Sequence, residues 1–163
     1  MLQVARLAPR RLGDAAGLVE AFFRERVTPE GGFADRDGKP DLYYTVFGLE
    51  GLLALQAPLP GGTAAYLRGF GDGDGLDFVH SCCLARCWAN VSRDGDGVPA
   101  AAIAARIESQ RKPDGGFGTA YETFLAVGAL EDLRRHPGDA AALVRSVRAL
   151  AAEDGGYANL PRM

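Results

Sequence analysis

A short glycine motif recurs along the chain and constrains its fold more than any other feature. It reads PEGGF at residues 29–33, PDGGF at 113–117 and EDGGY at 153–157. Each of the first two copies runs into an apolar stretch with helical spacing, and the third stops where its helix should start. A recurring unit that cannot bury its own apolar face has to stack on copies of itself. The motif therefore predicts a helical-repeat architecture.

The spacing of apolar residues predicts helices joined by loops rich in Gly and Pro. The predicted helices span residues 14–27, 41–56, 77–91, 99–110, 120–135 and 139–153, with a short helix or turn at 62–70. No segment alternates at period two over a useful length, so no strand is predicted. The order is an amphipathic outer helix, a glycine-rich loop and an apolar inner helix, repeated about three and a half times.

Length and composition predict one helical-repeat domain over residues 1–163, long enough to bury a sizeable core. A net charge of −3 gives no electrostatic footprint for nucleic acid or for an anionic membrane surface. The chain shows no signal peptide and no apolar run of membrane-spanning length, so a cytoplasmic location is expected. The three cysteines are clustered and odd in number, which argues against a disulfide framework.

The segment GGFADRDGKPDLYYT at residues 31–45 closely resembles the repeat of protein prenyltransferase β-subunits. Gln110 followed by GGFG at residues 115–118 resembles the same repeat again. Those proteins, like squalene and terpene cyclases, are α/α toroids. The resemblance implies an all-α fold of α/α-toroid type, and a chain of this length would form about half of a complete ring.

In that family an Arg-x-x-Lys pair binds the isoprenoid diphosphate, an Asp-x-Cys supplies two zinc ligands, and a histidine of the next repeat supplies the third. The resemblance places Arg36 and Lys39 at the diphosphate positions. It makes Asp41 and His80 the candidate catalytic and metal-binding residues, with zinc or magnesium as the ion. Tyr43 stands at the cysteine position, and a phenol with a pKa near 10 is a poor zinc ligand at neutral pH. The implied function is that of a prenyltransferase-like protein that binds an isoprenoid diphosphate and transfers its prenyl group.

Aromatic residues are frequent on the predicted inner helices. In a toroid those helices line a cavity, and aromatic walls suit an isoprenoid chain. The candidate substrate-binding aromatics are therefore Tyr43, Tyr44 and Tyr121, and packing within the core is the alternative role. Arg36 and Lys39 have an alternative too, as solvated loop charges, although a helix N-terminus nearby would add positive potential.

The third predicted inner helix has a second possible ligand set. A step of 100° per residue places His80 and Cys87 on one stripe of this helix, with Cys83 at its edge. These side chains are candidate ligands from a single helix, but no Cys-x-x-Cys pair is present. The alternatives are buried cysteines that act as small apolar side chains and a histidine that caps the helix.

Half a ring would expose two lateral helix faces and its inner wall. Apolar faces of this kind mark interfaces, so we expect either a homodimer or a companion chain that supplies the missing repeats. A second function from a different class is a non-catalytic helical-repeat module whose concave face binds a protein partner.

Overall fold

The computed structural model describes residues 7–92 and 97–160. This part of the chain is mostly helical, which confirms the all-α prediction. The helices are α1 Ala8–Leu12, α2 Ala16–Arg24, α3 Leu42–Ala54, α4 Thr63–Arg68, α5 Phe78–Val91, α6 Ala100–Ser109, α7 Ala120–Asp132 and α8 Ala140–Arg148. A 3₁₀ turn at Gly13–Ala15 joins α1 to α2. Helices α2 to α8 lie where the apolar spacing predicts them.

The prediction that the chain has no strand is wrong for one short hairpin. Strand β1, Phe33–Ala34, pairs antiparallel with β2, Pro40–Asp41. Its tip is tightened by the Asp35 carboxylate, which accepts the backbone N–H groups of Asp37 (2.8 Å) and Lys39 (2.9 Å). Two residues per strand are too few to show an alternating pattern, so the hairpin depends on turn chemistry that periodicity does not detect.

The chain divides into two compact units, and the division falls within α5. Among the described residues, the first unit holds 7–71 with 87–92, and the second holds 72–86 with 97–160. Each unit contains helices that the sequence predicts as outer and as inner, and each has its own buried apolar residues.

In the first unit, the core is built on α3. This helix buries an apolar set on most of its faces, as its sequence predicts. The set is Leu42, Val46, Leu49 and Leu52. The Phe33 ring of β1 lies against Gly48 so closely that a Cβ there would overlap it. Leu67 of α4 is also fully buried, so the hairpin and both helices share one core.

In the second unit, α5 and α7 run side by side in the same direction. The Phe78 ring at the start of α5 stacks on the Phe117 ring before α7, with centroids 5.8 Å apart. Further along, Arg86 of α5 pairs with Asp132 at the end of α7 (3.2 Å). Burial raises the pKa of Asp132 although the arginine opposes the shift. A helix-pair repeat places every second helix side by side and in the same direction. Helices α5 and α7, with α6 between them in the sequence, have this arrangement.

All three Gly-Gly-aromatic copies fold into the same turn. We call them loop A (residues 28–33), loop B (112–117) and loop C (152–157). In each, the first residue's N–H donates to the carbonyl of the second glycine, at 2.9, 2.9 and 2.8 Å respectively. The first glycine has a φ of +98°, +90° and +83°, a region that L-residues avoid. The motif is therefore a structural repeat.

A buried threonine joins loop A, and another joins loop B, to the helix that follows. The Phe33 N–H donates to Thr45 Oγ1 (2.9 Å), and the Phe117 N–H donates to Thr123 Oγ1 (3.2 Å). Both threonines lie four residues after the N-cap of their helix, which is Asp41 in α3 and Thr119 in α7. The sequence therefore orients α3 and α7 on their loops by the same hydrogen bond.

Candidate functional site

The two basic residues assigned to diphosphate binding lie on the tip of the β1–β2 hairpin. Arg36 and Lys39 are both exposed. Gly38, between them, has a φ of +83°, and the Asp35 N–H donates to the Lys39 carbonyl (2.8 Å), so the backbone of the tip is well defined. Within residues 7–92 and 97–160 neither cationic side chain takes part in an ion pair. Both side chains can therefore bind an anion without first breaking an ion pair with a carboxylate.

Asp41, the predicted first metal ligand, is the N-cap of α3. Its Oδ1 accepts the Tyr44 N–H (3.1 Å), and its backbone carbonyl accepts the Thr45 hydroxyl (2.6 Å). A capping carboxylate satisfies an N–H that the first helical turn leaves free, and it is stabilised by the helix dipole. The structure thus assigns Asp41 a local structural task that the repeat pattern alone does not reveal.

Tyr43 and Phe47 form an exposed aromatic pair on α3. They lie one turn apart, and their rings pack edge to face with centroids 4.9 Å apart. Tyr44 is half-buried, with its ring centroid 6.0 Å from that of Tyr43. This pair directly follows the hairpin that carries Arg36 and Lys39. The first unit therefore presents two cations and an apolar aromatic surface on one continuous segment.

Tyr66 of α4 is a residue that the sequence reasoning missed. Its ring lies so close to Gly32 that a Cβ there would be 2.8 Å from it. Burial, with Asp41 nearby as a further cause, raises the pKa of Tyr66 to about 12, so the phenol stays neutral at physiological pH. The signal available in the sequence is its position six residues before the Gly-Asp segment that begins at residue 72.

His80 and the three cysteines lie on α5. The backbone N–H of His80 donates a hydrogen bond to the Asp77 carboxylate (2.8 Å), and His80 Nδ1 is hydrogen-bonded to the same carboxylate (2.9 Å). Asp77 therefore caps the start of this helix. Cys82, Cys83 and Cys87 are buried and form no disulfide, and Cys87 Sγ lies 3.7 Å from the Leu42 carbonyl oxygen. Burial raises the pKa of Cys82 to about 12 and keeps it a neutral thiol. These contacts favour the structural alternatives for the cysteines and a capping arrangement around the histidine.

We expect the Asp77 carboxylate to make the stability of α5 depend on pH. The hydrogen bond from the His80 N–H is the largest cause that lowers the pKa of Asp77. The stabilisation by the ionised Asp77 carboxylate is therefore present above the unfolded-state pKa of about 4. It is lost as the pH falls through the lower folded-state pKa. Asp77→Ala should cost about 1 kcal/mol at pH 7, as lost N-caps do. Chemical denaturation of both proteins between pH 7 and pH 2 measures this, and the difference should shrink in acid.

Asp77→Asn is the control for this prediction. Asparagine also caps helices well, so the variant should keep most of the stability at pH 7 and lose the acid-dependent part. A constant difference between wild type and Asp77→Ala across the whole pH range would contradict the assignment.

Tyr121 and Phe124 are the exposed aromatics of the second unit and lie in the first two turns of α7. The Tyr121 N–H donates to Asn159 Oδ1 (3.0 Å), and the Ala120 N–H donates to the Asn159 carbonyl (2.9 Å). Asn159, two residues after loop C, therefore accepts two N–H groups in the first turn of α7, whose N-cap is Thr119. The two aromatic rings remain exposed to solvent.

Sorted by unit, the site residues predicted from the sequence form two groups. Those of the first unit lie on one hairpin-and-helix segment, and the other two lie in the first turns of α5 and α7 of the second unit. The first-unit group is Arg36, Lys39, Asp41, Tyr43 and Tyr44, and the second-unit group is His80 and Tyr121. In the described part of the chain, no three His, Cys, Asp or Glu side chains are grouped to hold a metal ion. None of the described helices has the length and apolar character needed to cross a membrane.

We compared the chain with protein-family models, with curated proteins and with solved structures, and none of them matches it. The functional argument therefore depends on the geometry of the chain itself.

Proposed function

We propose that the chain is a prenyltransferase-like repeat protein of α/α-toroid type and that its first unit binds an isoprenoid diphosphate. The observation that carries this proposal is that the hairpin tip, where Arg36 and Lys39 stand beside Asp35 and Asp37, leads along the chain into the exposed aromatic pair of α3. Arg36 and Lys39 would hold the diphosphate, and Tyr43 with Phe47 would contact the prenyl chain. Such a ligand has an anionic head and an apolar tail, which is the pairing that this surface offers.

Three features of the hairpin segment support the anionic end of this assignment. The guanidinium of Arg36 presents paired donors that match phosphate oxygens, and the ammonium of Lys39 adds a second charge. The segment leads directly into the N-terminus of α3, whose dipole adds positive potential. If transfer follows binding, these groups would stabilise the negative charge on the departing diphosphate.

The residues that the resemblance assigns to zinc do not fit that ion here. Tyr43 occupies the thiolate position, and its ring packs on Phe47. The Asp41 carboxylate accepts a backbone N–H as the cap of α3, and His80 Nδ1 is bonded to Asp77. A zinc site needs three or four Cys, His, Asp or Glu side chains whose donor atoms converge on the ion. We therefore derive no step through zinc, and the proposal concerns binding of the diphosphate.

Binding can be measured with farnesyl diphosphate as the probe, by calorimetry and by thermal shift. We expect wild type to bind it, and Arg36→Ala with Lys39→Ala to weaken binding by at least about tenfold, since charge-assisted hydrogen bonds are worth about 1.5–3 kcal/mol each. Inorganic diphosphate should bind more weakly than the farnesyl ester because it lacks the apolar tail.

A matched control removes the same two residue types elsewhere. Arg68→Ala with Lys112→Ala changes the net charge equally at exposed positions of α4 and loop B. This protein should bind farnesyl diphosphate like wild type. Equal losses in both double variants would indicate a general charge effect, and no binding by wild type would overturn the proposal.

The partner-binding module remains the second candidate because both units expose aromatic residues on an inner helix. Tyr43 and Phe47 do so on α3, and Tyr121 and Phe124 do so on α7. This candidate predicts no shift with farnesyl diphosphate. It also predicts that the affinity for a protein partner falls in Phe47→Asp and is unchanged in the Arg36→Ala, Lys39→Ala variant.

A further inference from the structure

Two of the outer helices, α4 and α8, pack on the loop of the preceding repeat through the same two positions. These positions lie six and ten residues before the first residue of the loop that follows the helix. For α4 they are Tyr66, which covers Gly32, and the N-cap Gly62, which lies against Gly31. In α8 they are Ser146, which covers Gly116, and Ala142, which lies against Gly115. We call these two positions the seating pair of a helix.

Helix α6 contacts its loop through the first of these two positions. The loop is the Gly-Asp segment at residues 72–77, which stands where a Gly-Gly-aromatic copy would be. Its residue six before loop B is Arg106. This side chain pairs with Asp72 and Asp74 of the loop, each at 3.3 Å, and its Cδ would lie 3.8 Å from a Cβ on Gly73. Every outer helix from α4 to α8 therefore sits on the loop of the preceding repeat.

The seating pair of α2 has no such loop beneath it in the described chain. Counting six and ten residues back from Thr28 gives Phe22 and Leu18. Leu18 is 75% exposed and Phe22 is 49% exposed, although both are large apolar side chains on one face of the helix. This face has the register of a seated helix and is exposed, with the Arg26 guanidinium over one side of the Phe22 ring, 3.6 Å from its centroid.

Loop C is a loop without a packed helix, since no helix of the described residues lies on it. A Cβ on Gly155 would meet nothing within 4 Å, and one on Gly156 would meet only Asp154 of the same loop. Tyr157 is 61% exposed, whereas Phe33 and Phe117 at the matching position are each 2% exposed. The backbone of loop C nevertheless has the same hydrogen bonds as the covered copies.

We propose that the Leu18–Phe22 face of α2 in one copy of the chain docks on loop C of a second copy. The two surfaces match because the same helix-on-loop contact is made within the chain by α4 and α8, and one position of it by α6. The contact is heterologous, since each copy offers α2 to one neighbour and loop C to another. Phe22 would cover Gly156 as Tyr66 covers Gly32, and Leu18 would take the open space at Gly155. The proposal is independent of the diphosphate site, which uses neither surface.

Sedimentation of the full chain tests this contact, using two variants that each disable one surface. Leu18→Asp with Phe22→Asp places two carboxylates opposite the acidic residues Glu153 and Asp154. Gly156→Glu buries a charge against the apolar face of α2. Both changes are at exposed positions, and the φ of Gly156 is outside the positive region, so the fold should survive.

Wild type should sediment above the mass of one chain at tens of micromolar, and each variant should weaken association by at least about tenfold, as loss of an anchor residue does. The decisive result is the mixture. An equimolar mix should form dimers, because the variant with a disabled α2 keeps loop C and its partner keeps α2. An interface in which α2 meets α2, or loop C meets loop C, would not give this complementation.

Phe124→Asp is the matched control, because it removes another exposed aromatic of similar exposure and should associate like wild type. Circular dichroism confirms that each variant keeps its helix content, and a variant that loses it is replaced by Leu18→Gln with Phe22→Gln or by Gly156→Gln. A monomeric wild type at these concentrations, or a mixture that stays monomeric, would overturn the proposal.

Discussion

Replacing Gly115 with alanine is expected to lower the free energy of unfolding by about 3 kcal/mol, from backbone strain and a steric clash together. Gly115 has a φ of +90°, where an L-residue costs about 1–2 kcal/mol. Its new Cβ would also overlap the Cβ of Ala142 and lie 2.8 Å from the Ala142 carbonyl carbon. The first turn of α8 would have to move away from loop B. Chemical denaturation followed by circular dichroism measures the change.

Gly155→Ala is the internal control for this clash. It occupies the same motif position in loop C with a φ of +83°, yet its Cβ would meet nothing within 4 Å. It should therefore show only the strain, about 1 kcal/mol, partly offset by the lower entropy of the unfolded alanine chain. Equal losses from Gly115→Ala and Gly155→Ala would show that close packing of α8 on loop B contributes little.

Replacing Thr45 with valine should cost about 2 kcal/mol, because a buried backbone N–H loses its acceptor. Thr45 is fully buried, and its hydroxyl accepts the Phe33 N–H while donating to the Asp41 carbonyl. Valine has nearly the same shape, so the loss reports the hydrogen bonds and not a cavity. Urea unfolding measures the cost, and amide exchange at Phe33 should become faster in the same protein.

Thr45→Ser separates the hydroxyl from the methyl group. Serine keeps both hydrogen bonds and leaves a small cavity, so it should cost about 1 kcal/mol, roughly the value of one buried methyl group. Ser81 already stands at the equivalent place in α5, where its hydroxyl donates to the Asp77 carbonyl (2.8 Å). If serine were as harmful as valine, the hydroxyl would not be what joins loop A to α3.

Much of the fold could be predicted because its signals are local. The positive φ of the first glycine in each loop, and the start of α8 after its N-cap Asp139, depend on a few neighbouring residues. The Asp139 carboxylate accepts the Ala142 N–H (2.9 Å), as its position before an apolar run predicts. The hairpin was missed because Asp35 and Gly38 act through a turn and not through periodicity.

The candidate site was harder to predict, because a repeat position does not reveal which bonds a side chain makes. Asp41 and Asp77 hold matching places at the start of α3 and α5, and the N–H of His80 donates to its cap as the N–H of Tyr44 does. Tyr43 is exposed while Tyr44, its neighbour, is half-buried, a difference of one helical step that depends on where α3 packs. Tyr66 escaped notice because its role exists only through Gly32, which is distant in sequence.

The sequence by itself determined the repeat, the positions of the helices and the identical turn of the three Gly-Gly-aromatic loops. These follow from hydrogen bonds and torsion angles within about fifteen residues, which any copy of the motif can satisfy alone. Only the tertiary structure decided which copies are covered. The aromatic side chains of loops A and B are buried, whereas Tyr157 of loop C and the Leu18–Phe22 face of α2 remain exposed, because burial requires a second segment to pack against each surface.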